Sequence, residues 1–236
     1  MDNYIDAYIK KNNSFIVLIL GLPCSNKTEL AKDLYEDLSN ATKNISLINI
    51  NDYFKNEYVE KEIDGLKFNL YDQPENIDWE SLNKVVNEKK EYGVILYGNY
   101  INPDHINFDI DFVYFIDLNN NLCKELLLKN NLIKTNFVDE KTEESSEEKE
   151  KRMNIYFDKV LLPSFDKLRE TIKEKMSVNK FFNIKEDSVF EDVYNKLFDI
   201  LMNNIEKVLL KKKTTYHTND KSRKYIKKNK NKKVEK

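Results

Sequence analysis

Gly21 is followed at fixed distance by Lys27 and Thr28, in the run Leu20-Gly21-Leu22-Pro23-Cys24-Ser25-Asn26-Lys27-Thr28. A phosphate-binding loop uses this spacing. The glycine allows a tight turn, backbone N–H groups converge on phosphate oxygens, the lysine neutralises charge and the hydroxyl ligates Mg²⁺. Asn26 stands where such a loop normally has a second glycine. Asn is the non-Gly residue best able to take left-handed backbone angles, so the substitution weakens the pattern without abolishing it. Candidate phosphate contacts are therefore Gly21, Cys24, Ser25, Asn26, Lys27 and Thr28. The same residues also suit an ordinary helix start with Ser25 or Asn26 as N-cap. A second candidate is Asp52, in Asn51-Asp52-Tyr53-Phe54. A carboxylate placed there can take a proton from an attacking hydroxyl, or hold Mg²⁺ through water, or simply close a turn.

Short apolar runs precede these residues. Phe15 to Leu20, Leu47 to Ile50, Val94 to Tyr97 and Phe112 to Ile116 are too short for helices and suit strands buried on both faces of a parallel sheet, and residues 178–184 suit a fifth. Helical patterns alternate with them: Leu30, Leu34 and Leu38 within 27–39, Leu82, Val85 and Val86 within 80–90, and an amphipathic stretch over 188–210. A helix is expected at about 120–130, and one over 151–175 should break near Leu162 because of Pro163. Residues 139–150, almost without apolar side chains, read as an exposed acidic loop. The expected fold is α/β, a parallel, five-stranded sheet with helices on both faces. In a doubly wound sheet the ligand crevice lies at the carboxyl ends of the strands, where Gly21 and Asp52 both fall.

The chain has 236 residues, 34% of them charged and 40% hydrophobic, which suits a globular protein and excludes wholesale disorder. Its net charge of −2 conceals a split: residues 211–236 hold twelve Lys or Arg against two acidic residues, a balance of +10 that leaves −12 on the other 210. The domain is expected over 1–210 and a basic, disordered tail over 211–236. Nucleic acid is not expected as a partner beyond weak, non-specific contact by the tail. No stretch is apolar enough for a membrane helix, and no signal sequence opens the chain, so a cytoplasmic location without a membrane partner is expected. Cys24 and Cys123 are far apart in the chain and in no metal-ligand spacing, which argues against a disulfide scaffold or a zinc site.

Further along comes Phe68-Asn69-Leu70-Tyr71-Asp72-Gln73-Pro74-Glu75-Asn76-Ile77-Asp78-Trp79. A phosphate loop, a strand ending in Asp-x-Phe/Tyr and an Asn-Phe-Asp-His-Pro-like segment, in that order, resemble the uridine kinases and the related nicotinamide riboside kinases, a P-loop NTPase family. Tyr156 to Phe165 is similar to the Tyr-x-x-x-Val-x-Pro segment that follows this family's lid, so the resemblance runs over about 15–210, with the lid at about 130–155. It implies ATP with Mg²⁺ as cosubstrate and a nucleoside acceptor. Asp52 matches the base for the 5′-hydroxyl and lies near the metal with Thr28. Asp72 matches the carboxylate on the ribose hydroxyls, and Tyr53 and Tyr71 match the aromatic wall of the nucleoside site. Two departures stand out: Tyr97-Gly98 replaces the Glu-Gly that ends the family's third strand, and the helix at 120–130 carries Lys124 and Lys129 where the family has phosphate-clamping Arg. Three readings follow: an ATP:nucleoside phosphotransferase, a degenerate P-loop module that binds a nucleotide or a partner without phosphotransfer, and a nucleoside-monophosphate kinase, which predicts a cluster of basic residues at the acceptor site that residues 51–79 do not show.

Overall fold

Strand β1 (Ile16–Gly21) is buried along its whole length. An apolar run of this kind has no solvated face, so it belongs at the centre of a covered sheet. It pairs in parallel with β5 (Val94–Gly98) on one side and β6 (Phe112–Leu118) on the other. β2 (Ser46–Asn49) lies outside β5 and β7 (Val178–Ile184) outside β6, giving the order β2-β5-β1-β6-β7. The computed structural model describes residues 2–55, 59–70, 74–129 and 145–231, with backbone alone at 2, 3, 74, 146, 149 and 211–231.

Alternation along β1 divides the core in two. Ile16, Leu18 and Leu20 pack with Trp79, Leu82 and Val86 of α3 (Trp79–Lys89) and with Phe165, Leu168 and Ile172 of α6 (Leu162–Lys175). Val17 and Ile19 pack on the opposite face. Their neighbours there are Leu30, Leu34 and Leu38 of α2 (Lys27–Ala41), Leu197, Leu201 and Ile205 of α7 (Phe190–Asn231), and Ile5 and Tyr8 of α1 (Asp2–Asn12). The expected α/β architecture, with five parallel strands and helices on both faces, is the one present. With a phosphate-type loop between β1 and α2, it is the layout of a P-loop NTPase.

Besides α1, where no element was expected, four features differ from the sequence reading or extend it. Residues Val59–Ile63 and Leu66–Leu70 form an antiparallel hairpin, β3–β4, closed by Asp64 (φ 53°) and Gly65 (φ 76°). Two left-handed residues in a two-residue loop match the right-handed twist of the strands. Helix α5 (Ser146–Tyr156) begins inside the acidic stretch expected to be loop, because Ser145 and Glu148 make a reciprocal capping box. The break expected near Leu162 is a π-helical segment, Phe157–Leu161, after which Pro163 sits in the first turn of α6, where its missing N–H is tolerated. Lastly, α7 continues as helical backbone to Asn231, through residues where no element was expected; its many lysines are good helix formers. Of the lid expected at about 130–155, residues 130–144 lie outside the described residues. Among the described residues no helix is long and apolar enough to cross a membrane.

Candidate functional site

Parallel pairing brings the carboxyl ends of β1, β2, β5 and β6 to one edge of the sheet, so the segments that follow them converge. The chain leaves β1 at Gly21, where only a residue without a side chain fits: a Cβ there would lie 2.5 Å from Ser25 Oγ and 2.6 Å from the Ile116 carbonyl oxygen. The loop then needs two left-handed residues, Cys24 (φ 62°) and Asn26 (φ 57°, ψ 17°). Asn26 therefore takes the backbone conformation that the usual glycine would supply. It occupies the N-cap position of α2 but makes no side-chain cap, so an ordinary capped helix start does not describe this segment. No side chain caps this start of α2, the end of the helix whose dipole favours anions.

Side chains complete the loop. Lys27 is only 7% exposed, and its ammonium folds back to donate to the Leu22 carbonyl at 3.1 Å, so it arches over the loop. Ser25 is 2% exposed, and its Oγ has no hydrogen-bond partner among the described residues. A buried hydroxyl in that state is costly unless a ligand or water satisfies it. Thr28 follows on the first turn of α2, half-buried. An orphaned hydroxyl, a cradle too tight for a Cβ and a buried ammonium folded over the loop fit a polyphosphate. Among the described residues no group of three or more His, Cys, Asp and Glu could hold a metal by itself. Any magnesium here would therefore depend on Thr28, phosphate oxygens and water, with Asp52 as the nearby carboxylate.

Asp52 lies in a 3₁₀ turn, Ile50–Tyr53, directly after β2. Asn49 Nδ2 donates to its Oδ1 at 2.8 Å, which orients the carboxylate and leaves Oδ2 for another partner. The Asn99 N–H donates to Asn51 Oδ1 at 3.4 Å and ties this turn to the end of β5. The Lys55 N–H donates to Asn76 O and the Asp78 N–H to Tyr53 O, which fastens the strand-end segment to the residues before α3. Burial, and then the charge of Asp52, push the Tyr53 phenol above its ordinary value. The Tyr97 phenol is raised in the same way, by burial first and then by Asp52 and Glu29, so it stays neutral. Tyr97 itself is 9% exposed and packs in the core on the α2 side, so the end of β5 offers no carboxylate of its own.

The structure thus gathers Gly21, Cys24, Ser25, Asn26, Lys27 and Thr28 in one loop. Asp52 and Tyr53 lie at the end of a strand in the same sheet. Tyr71 and Asp72 lie outside the described residues. Three neighbours escaped the sequence reading. Glu29, on the first turn of α2, acts on Tyr97 together with Asp52. Arg169 of α6 donates through Nε and Nη2 to Asp117 Oδ1 at 3.0 and 2.7 Å, and through Nη1 to Asp166 at 2.6 Å. Cys123 of α4 (Asn120–Lys129) is buried against the loop. Glu29 was visible one residue beyond the motif; the other two come from tertiary packing. Lys124 of the clamp region pairs with Asp158 at 2.9 Å, and Lys159 of the π-helical segment pairs with Asp64 of the hairpin turn at 2.6 Å.

No protein-family model matches the chain. A protein of Methanococcus maripaludis named "Putative adenylate kinase" is 31% identical over 137 residues, which cover 56% of this chain and 65% of that protein, a little under two thirds of its length. Among solved structures, a thymidylate kinase from Candida albicans is 14% identical, with 81% of this chain and 92% of that one covered at a TM-score of 0.42. The hydrogenase maturation factor HypB of Archaeoglobus fulgidus is 12% identical, with coverages of 83% and 94% at a TM-score of 0.33.

Proposed function

We propose that this chain is an ATP-dependent phosphotransferase that moves the γ-phosphoryl group of ATP onto the 5′-hydroxyl of a nucleoside of the uridine, cytidine or nicotinamide riboside class. The observation that carries the reading is the loop from Gly21 to Thr28, with Asn26 left-handed, α2 uncapped and Lys27 arched over it. In this reading Lys27 neutralises phosphate charge in ground and transition states alike. The N–H groups at the start of α2 hold phosphate oxygens, and the Thr28 hydroxyl serves the magnesium ion. Magnesium supplies screening of the phosphate charge when bound with ATP. Asp52, oriented by Asn49, takes the proton of the acceptor hydroxyl at Oδ2. Tyr53 and Tyr71 wall the nucleoside, and Asp72 accepts from its ribose hydroxyls. Little covalent chemistry falls to the protein, since positioning and charge neutralisation supply most of the rate.

The name of the Methanococcus relative favours a second reading, in which the acceptor is a nucleoside monophosphate. Such an acceptor brings a phosphate of its own and needs cations to receive it. Among the described residues Lys124 and Lys159 already face Asp158 and Asp64, which supports the uncharged acceptor. The test is a coupled assay of ATP·Mg²⁺ with uridine, cytidine, nicotinamide riboside, AMP and TMP, run on wild type, Lys27→Ala and Asp52→Asn. A nucleoside kinase should turn over nucleosides in preference to monophosphates. Lys27→Ala should lose ATP binding and turnover together, whereas Asp52→Asn should keep ATP binding and lose turnover by about a hundredfold or more. Preference for AMP or TMP would establish the second reading. ATP binding without turnover of any acceptor would make the chain a P-loop binding module, and no nucleotide binding at millimolar ATP would overturn all three.

A further inference from the structure

Cys24 sits in the phosphate loop and Cys123 on the first turn of α4; far apart in sequence, they meet in space. Cys123 is fully buried, and its Sγ donates to the Pro23 carbonyl at 3.5 Å. That carbonyl belongs to the peptide unit that also contains the Cys24 nitrogen, and planarity puts its oxygen about 3 Å from Cys24 Cα. The Cys123 sulfur is therefore within about 6.5 Å of the Cys24 Cα. Their charges interact too: burial first, then the neighbouring Cys24, push the Cys123 thiol up to about 12, against a lowering by Lys27 and Arg169. Neither cysteine is in a disulfide. They differ in access, since Cys24 is partly exposed and Cys123 is not.

We propose that Cys24 and Cys123 form an oxidisable pair that peroxide converts to a disulfide, fastening the phosphate loop to α4 and closing the nucleotide site. The order of events follows from access. Cys24, reachable from solvent, attacks one peroxide oxygen as the thiolate; the O–O bond breaks, Cys24 becomes a sulfenic acid, and the departing hydroxide takes up the proton that the Cys24 thiol released and leaves as water. The Cys123 sulfur then attacks the Cys24 sulfur; the S–S bond forms, the S–O bond breaks, and the thiol proton of Cys123 leaves with the hydroxide as a second water. Both sulfurs are oxidised by one electron each, and the peroxide is reduced by two. The buried, hard-to-ionise thiol of Cys123 makes the second step the slow one.

The bond would act on the cradle directly. A disulfide fixes its two Cβ atoms about 3.8 Å apart, so the bond ties Cys24 to α4 in one geometry. Cys24 is one of the two left-handed residues on which the loop depends, so that tie constrains the N–H groups of Cys24 and Ser25. The effect on nucleotide rests on the proposed function; the formation of the bond does not. In the test, the full-length, fully reduced protein is treated with hydrogen peroxide. Peptides are then mapped by mass spectrometry without reductant, and the rise in melting temperature on adding ATP·Mg²⁺ is measured before oxidation, after it, and after dithiothreitol. The expected result is one linked peptide pair containing Cys24 and Cys123, lighter by two hydrogens, with the ATP response lost on oxidation and restored by reduction. Cys123→Ala should form no link and keep its ATP response through the same treatment. The absence of that linked pair in wild type overturns the proposal, and so does a Cys123→Ala protein that loses its ATP response as wild type does. A linked pair in a protein whose reduced form never responds to ATP would sustain the thiol pair and overturn the nucleotide reading alone.

Discussion

Asn26 holds a backbone conformation that costs most L-residues about 1–2 kcal/mol, and it does so without a capping bond in return. Its presence is thus explained by tolerance of φ 57° rather than by its side chain. Asn26→Gly should keep the melting temperature of wild type or raise it slightly, whereas Asn26→Val should lose about 1–2 kcal/mol in urea denaturation. Gly21 is constrained by space instead: Gly21→Ala should cost about 1–3 kcal/mol, because one contact of the new methyl is a backbone carbonyl that cannot swing away. Asp111 shows a third constraint. Its carboxylate accepts from the Ile16 N–H at 2.7 Å, Tyr8 OH at 2.9 Å and Ser14 Oγ at 3.3 Å, and pins α1 to the start of β1. Burial raises its pKa more than these three bonds lower it. The folded state therefore binds the proton more tightly than the unfolded chain, and between the two values stability from this group rises as pH falls. Compared with Asp111→Asn over pH 7 to 4, wild type should gain in relative melting temperature toward acid; a constant difference would refute this.

Arg169 joins α6 to the end of β6 and the start of α4, through Asp117 and Asn120. With Asp117 a quarter exposed, the pair is partly screened, so Arg169→Met should cost about 2 kcal/mol rather than the larger loss of a fully buried pair. Arg169→Lys should recover part of this only, for want of the planar fork. Legibility among the elements followed the strength of local signals. The runs at Phe15, Val94 and Phe112 announced buried strands because nothing else explains four to six apolar residues in succession. The hairpin went unread although Asp64-Gly65 is a strong turn signal, because Glu60, Lys61 and Glu62 look like solvated loop and β3 is largely exposed. α1 went unread because its two fully inward residues, Ile5 and Tyr8, are few against a polar stretch. At the site, the phosphate loop was legible because its chemistry is contiguous in sequence. Cys123 and Arg169 were not, since their roles exist only once separate elements end at one edge.

Charge and packing divide the whole molecule near the same residue. Ile205 is fully buried against the sheet, whereas Leu210 is 51% exposed and everything beyond it belongs to the basic stretch. A chain ending at residue 210 should therefore melt within about 2 °C of the full-length protein and bind ATP equally well. A fall of several degrees would show that the helix beyond residue 210 supports the domain. The −12 body and +10 tail also predict that any anionic partner engages the tail and is released by added salt.

The central position of β1 has a consequence for biosynthesis. Its neighbours are Val94 to Gly98 and Phe112 to Ile116, so the first strand to leave the ribosome must wait for the third and fourth strands of the sheet before either of its edges is covered. At roughly 5–20 residues per second, the delay is on the order of 5–20 s. During that time an apolar, uncharged strand stands open on both edges, the kind of segment that pairs with other chains. Stalled nascent chains ending near residue 110, with β5 made but β6 missing, should sediment as aggregates unless a chaperone holds them. Chains released after residue 210 should stay in the supernatant.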